Sequence, residues 1–144
     1  MALETGLYII KNADKIVGRA LAEDLSLLPR RIILAESDNK SIWVIEKLDN
    51  DTYKFISEGS PTTHFDHKVF GLLLEHDKAT KWHVIPVSQH GDNAYLIADT
   101  DLKGGWVAPE HVGEQIIFRP LIVQPSEPPR YPGNQVFNII KVDE

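Results

Sequence analysis

The chain contains no cysteine, which excludes disulfide frameworks, thiolate metal centres, iron–sulfur clusters and a cysteine nucleophile together. A folded state of its 144 residues must therefore rest on packing and hydrogen bonding. Long apolar runs are also missing: nothing approaches the roughly 18 consecutive apolar residues of a membrane span. The opening Met1-Ala2-Leu3-Glu4-Thr5-Gly6 has no basic region followed by an apolar core. We therefore expect a cytoplasmic protein with no membrane association, reaching the outside, if at all, by an unconventional route. Cations are outnumbered, with 15 Lys and Arg against 21 Asp and Glu for a net charge of −6. That balance argues against a general nucleic-acid binder, whose phosphate contacts need a basic surface.

Catalytic signatures are absent as well. There is no Gly-x-Ser-x-Gly elbow, no His-Glu-x-x-His helix and no phosphate-cradling loop, and Gly104-Gly105 after Lys103 lacks the trailing Lys-Ser/Thr of a P-loop. The acids Glu23-Asp24 and Asp99/Asp101 sit in turn-like sequence, where such groups cap backbone amides or face water. Six histidines invite a metal hypothesis, but His64 and His67 fall on opposite faces of an extended segment. The expectation is a protein that is not an enzyme and needs no metal or cofactor. Two glycosylation sequons, at Asn39 and Asn50, read as chance occurrences without an export signal.

What the sequence does have is punctuation. Nine glycines and nine prolines in 144 residues are spread along the chain, a spacing that suits short strands. About twelve β-rich runs lie between them: 7–10, 16–17, 32–34, 42–45, 53–56, 69–74, 82–87, 95–97, 106–107, 116–118, 121–123 and 136–140. Only 20–28 and 72–82 offer helical alternatives, the first cut by Pro29 and the second without a sustained apolar stripe. An aromatic opening strand and an aromatic closing strand recur in pairs: Tyr8 with Trp43, Tyr53 with Trp82, and Tyr95 with Phe137. The opening tyrosines stand 45 and 42 residues apart. Three units of four short strands predict one all-β domain over 1–144, a β-trefoil whose six-stranded barrel is capped by three hairpins. The competing architectures are a β-sandwich and a propeller fragment, which three blades would leave unclosed. We expect the recurring aromatics to be core.

A trefoil could be a lectin, but the Gln-x-Trp of ricin-type repeats does not occur in this chain. The segment Arg19 to Arg31 joins two strands without strand character of its own and is a candidate binding loop. At its end Pro29 fixes its own φ and biases Leu28 toward an extended conformation, and Arg30 follows as a long cation. A trypsin-like protease reads such an arginine through a carboxylate at the base of its primary pocket. Spacing by itself nevertheless favours a solvated strand start for Arg30-Arg31.

Resemblance shifts that weighting. The run Ile16-Val17-Gly18-Arg19, then Glu23-Asp24-Leu25-Ser26-Leu27-Leu28-Pro29-Arg30-Arg31-Ile32, resembles the mushroom β-trefoil serine protease inhibitors of the cospin and cnispin type. Gly6 to Ile10, Trp43-Val44-Ile45, Gly105 to Pro109 and Arg119-Pro120-Leu121 fit as well. The resemblance implies an inhibitor whose partner is a trypsin-like serine protease, and a monomer is the default expectation for an inhibitor that presents a loop. It places the specificity residue at Arg30, with the Arg30–Arg31 peptide as the bond offered. Leu27, Leu28 and Pro29 then lie along the cleft, with Ser26 and Asp24 stiffening the loop. The family also uses the loop between the last two strands, here Gln124 to Gly133, where Arg130 flanked by Pro129 and Tyr131 is a second candidate. Inhibition of cysteine proteases in the manner of the mycocypins, and sugar binding, are the alternatives carried forward.

Overall fold

A computed structural model describes residues 3–20 and 26–142. Among them twelve strands form: β1 Gly6–Asn12, β2 Lys15–Arg19, β3 Arg30–Ala35, β4 Trp43–Lys47, β5 Thr52–Ser57, β6 Ser60–Phe65, β7 Lys68–Gly71, β8 Trp82–Pro86, β9 Ala94–Asp99, β10 Gly105–Val107, β11 Ile117–Arg119 and β12 Phe137–Lys141. The all-β expectation is met, and no α-helix occurs among the described residues. Of the two helical alternatives, 72–82 carries only the single 3-10 turn His76–Lys78. Residues 21–25 of the other lie outside the described residues.

The pairing closes on itself. β1 pairs with β4, β4 with β5, β5 with β8, β8 with β9, β9 with β12 and β12 with β1, antiparallel throughout. The remaining strands make the hairpins β2–β3, β6–β7 and β10–β11. These join at one end, where β7 pairs with both β3 and β11 and an isolated bridge links Ile33 to Gln115. Ile32, Val69 and Ile116, all fully buried, meet there: Ile116 N–H donates to Ile32 O at 2.8 Å and Val69 N–H to Ile116 O at 3.0 Å. Closure leaves the six ring strands no free edge for another chain to extend.

The register explains the aromatic repeat. Tyr8 is directly opposite Trp43, Tyr53 opposite Trp82 and Tyr95 opposite Phe137, so each recurring pair is a cross-strand pair on the inner face. All six are buried. Trp106, from β10, packs among them, with ring centroids 5.9 Å from Trp43, 5.5 Å from Phe55, 5.5 Å from Trp82 and 6.1 Å from Phe137. Aromatic edges on faces add favourable quadrupole terms to the burial itself. Trp43 Nε1–H donates to Val17 O and Trp82 Nε1–H to Thr62 Oγ1, both at 2.8 Å. Gly105 is required by this crowding, since a Cβ there would stand 2.4 Å from Ile97 O.

Two strand expectations differ from the structure. β6 lies outside the expected runs, its Ser-Pro-Thr-Thr-His having no apolar residue but proline, yet its hydroxyls are consumed inside: Thr62 Oγ1 also donates to Phe55 O at 3.1 Å. Leu121–Val123 is not a strand. Ile122 instead exchanges both backbone groups with the side chain of buried Gln135, N–H to Oε1 and Nε2–H to O, each at 2.8 Å. His64 stacks on Phe118 with centroids 3.6 Å apart, and burial pushes its imidazole below the ordinary histidine range. His67 is in the β6–β7 turn with φ of 60°.

Thr62→Val keeps the shape of the side chain while leaving the Trp82 indole N–H without its acceptor. It should lower unfolding free energy by about 1–3 kcal/mol, read from the urea midpoint at unchanged slope.

Candidate functional site

The loop between β2 and β3 is tied at its base. Arg19, at the end of β2, is a buried cation whose Nη1 donates to Ser60 Oγ at 3.3 Å and to the carbonyls of Ser57 and Glu58 at 3.5 and 3.4 Å. These bonds fasten the loop's entrance to the β5–β6 turn. Gly18 lies so close to Ser41 that a Cβ would collide with its hydroxymethyl group, and Asn39 Oδ1 accepts from both Ser41 N–H, at 2.9 Å, and Ser41 Oγ–H, at 2.5 Å. Ala20 N–H donates to Arg31 O at 3.1 Å, closing the neck. The Gly-Arg motif is thus the footing of the loop.

Inside the neck, Leu28 N–H points to Ser26 Oγ at 3.3 Å and Arg30 Nη2 donates to Ser26 O at 2.7 Å. The structure therefore gathers Ser26, Leu28 and Arg30 into one bonded turn with Pro29 half-buried between them. Asp24 lies outside the described residues. Leu27 and Leu28 are the most displayed side chains here, 64% and 66% exposed. Arg30 is half-buried and opens β3 opposite Gly71, while Arg31 is exposed opposite Phe70. The solvated strand start and the loop reading thus describe the same residues: Arg30 and Arg31 stand on the boundary between loop and sheet.

The loop between β11 and β12 is built differently. Gln124 and Arg130 bridge its neck through both backbone groups, at 2.7 and 3.2 Å. Ser126 Oγ–H donates to Pro128 O at 2.7 Å. The Arg130 side chain is exposed, and its own N–H and C=O are bonded to Gln124, as Arg30 is paired with Gly71. Two residues that sequence reasoning did not single out brace the far side. Gln89 Nε2–H donates to Pro129 O at 2.5 Å and His90 Nε2 accepts from Tyr131 N–H at 3.1 Å. Both come from the turn after β8, about forty positions away, and no local pattern announces them. The double variant Gln89→Ala/His90→Ala should speed amide exchange at Tyr131 at least about tenfold with little change in thermal midpoint. Unaltered exchange at Tyr131 would show that the bracing is not needed.

Three comparisons bear on what these loops serve. A family model described as peptidase inhibitor I66 matches residues 1–141. A serine protease inhibitor of Lentinula edodes is 53% identical over 144 residues, covering 99% of this chain and all of that protein. The solved structure of a proteinase inhibitor from Coprinopsis cinerea superposes with a TM-score of 0.88 at 37% identity, over 98% of this chain and all of the other. The Rhizoctonia solani agglutinin superposes at 0.70 with 14% identity over 99% of both chains, a likeness of fold alone. With a family model matched along nearly its whole length and inhibitors as its relatives, the chain belongs to the peptidase inhibitor I66 family of mushroom protease inhibitors, and is an inhibitor rather than an enzyme.

Proposed function

We propose that the protein inhibits trypsin-like serine proteases by offering them the Arg30–Arg31 peptide of its β2–β3 loop. The observation that carries this reading is the tied neck. Arg31, on the leaving side of the offered bond, is held to β2 through Ala20 N–H···O at 3.1 Å. If the bond is cut, the new amine stays where it was and resealing competes with release. On binding, the Arg30 guanidinium turns from Ser26 O to the carboxylate at the base of the primary pocket, where it forms a charge-assisted pair. Leu28 and Pro29 lie along the cleft, with Leu27 and Ser26 beyond them. Because the turn is already bonded through Ser26, little conformational freedom is lost on association.

In this reading the scaffold is a β-trefoil acting as a monomer in the cytoplasm. The six-strand ring closed by three hairpins and the three cross-strand aromatic pairs support that architecture. Sugar binding draws support only from the agglutinin's fold, and the Gln-x-Trp repeat that would carry it is missing.

Titrating bovine trypsin, chymotrypsin and papain with wild type, Arg30→Ala and Arg130→Ala tests the proposal. Arg30→Ala should weaken trypsin inhibition roughly 10²–10³-fold, about 3–4 kcal/mol, the loss typical of a buried anchor. Arg130→Ala should change it by less than about twofold. The opposite ranking would move the site to the β11–β12 loop, and inhibition of papain alone would assign a different protease class.

A further inference from the structure

One loop does not make a protease–inhibitor interface. Stable ones bury about 800 Å² on each partner, some 20–30 residues a side, so surface beside residues 26–31 must be covered as well. The register of β3 and β7 identifies which surface that is. Arg31 stands directly opposite Phe70, and directly paired residues put their side chains on the same face of a sheet. Phe70 in turn pairs with Thr63 of β6, and by alternation Lys68 of β7 and Phe65 of β6 share that face. Phe65 and Phe70 are stacked, with centroids 4.1 Å apart and planes within 6°. The outer ring, Phe65, is 45% exposed. A flat two-ring plate therefore begins one strand spacing from Arg31, on the side toward which Arg31 points.

The rim of the plate is basic. Arg31 and Lys68 are exposed, and among the described residues neither has an ion pair. Past Lys68 the same face continues into an open concavity of about 840 Å³, lined by Arg31, Lys68, Ile117 and Arg119 together with Glu110 and Glu114. Cations spared from internal pairing on an acidic protein complement a partner with acidic side chains around an apolar spot. Exposed aromatic rings rimmed by charge form the anatomy of an interface centre.

We propose that the β6–β7 hairpin, through Phe65 stacked on Phe70 with Lys68 at its edge, is a second contact of the same serine protease, covering the surface next to its leaving-side subsites. The inference rests on the β2–β3 loop being the inhibitory one. A protease that accommodates Arg31 on its leaving side cannot avoid the ring one strand away, so this hairpin sets which proteases are held long after the primary pocket has admitted the arginine.

The test measures association and dissociation of bovine trypsin with wild type, Phe65→Ala, Phe65→Glu, Lys68→Glu, Arg30→Ala and Leu102→Ala. Leu102 is equally apolar and exposed and belongs to the β9–β10 turn, outside both the β2–β3 loop and the β6–β7 strands. The expectation is a roughly tenfold weaker complex for Phe65→Ala, mainly through faster dissociation, and a larger loss for Phe65→Glu. Lys68→Glu should slow association in a manner that salt suppresses. Leu102→Ala should match wild type, and thermal midpoints should agree across the hairpin variants. Inhibition constants within twofold of wild type for both Phe65 variants, with Arg30→Ala still abolishing inhibition, would overturn the hairpin contact alone. An equal loss in Leu102→Ala would overturn it too, as a generic surface effect. Full inhibition by Arg30→Ala, or none by wild type, would remove the loop reading and the hairpin contact with it.

Discussion

Everything in this structure hangs from three cross-strand pairs: Tyr8 with Trp43, Tyr53 with Trp82 and Tyr95 with Phe137. Without a disulfide or a metal, a chain of short strands needs its register fixed by side chains, because a one-residue slip would turn every inward residue outward. Large rings placed opposite each other on the inner face impose that register three times. Trp106 and Phe55 then fill the space between them. The indole N–H groups of Trp43 and Trp82 reach back to Val17 and Thr62 in the first strands of the hairpins, so the cluster also anchors the hairpins to the ring. Burial is the main cause that holds the Tyr8, Tyr53 and Tyr95 hydroxyls above the ordinary phenol range, with neighbouring acidic groups adding to it at Tyr8 and Tyr53.

A closed ring frees the connecting loops from structural duty, and the two arginine-bearing loops use that freedom in different ways. The β2–β3 loop is clamped at its feet by buried Arg19 and by the Ala20–Arg31 bond. Among the described residues, the end of the loop is shaped by Ser26, whose carbonyl accepts from the Arg30 guanidinium. The β11–β12 loop is knotted through Gln124 and Arg130 themselves, which displays a cation while occupying its backbone. Arg30 is likewise engaged through its main chain, paired with Gly71 of β7, so the two loops differ in how the arginine side chain is held and not in whether its backbone is bonded. Holding Arg30 folded against Ser26 also keeps an otherwise mobile cation ordered before the partner arrives.

Legibility in the sequence followed the range of the interactions. The aromatic repeat was readable because the paired rings recur at near-equal spacing, and most strands were readable because their apolar runs end at glycine or proline. β6 was not, because its inward residues are hydroxyls and a proline whose partners, Phe55 O and Trp82 Nε1, lie in other strands. Leu121–Val123 looked like a strand and is held instead by the side chain of Gln135, a substitution of glutamine for backbone that no periodicity encodes. The arginines of the candidate site were visible as residues, and the resemblance supplied their role. Their geometry was not visible, since the Ser26 clamp, the Gly71 and Phe70 register partners and the braces from Gln89 and His90 are set by the tertiary fold.

The central claim is that the Arg30–Arg31 peptide is the bond presented to the protease and held in place across a tied neck. Mass analysis of the protein after long incubation with a small molar fraction of bovine trypsin tests it most directly. The account predicts a single slow nick after Arg30, with both fragments staying associated under native conditions and inhibition retained by the nicked form. Cleavage after Arg130 in place of Arg30, or a rapid nick that releases the fragments and ends inhibition, would contradict it.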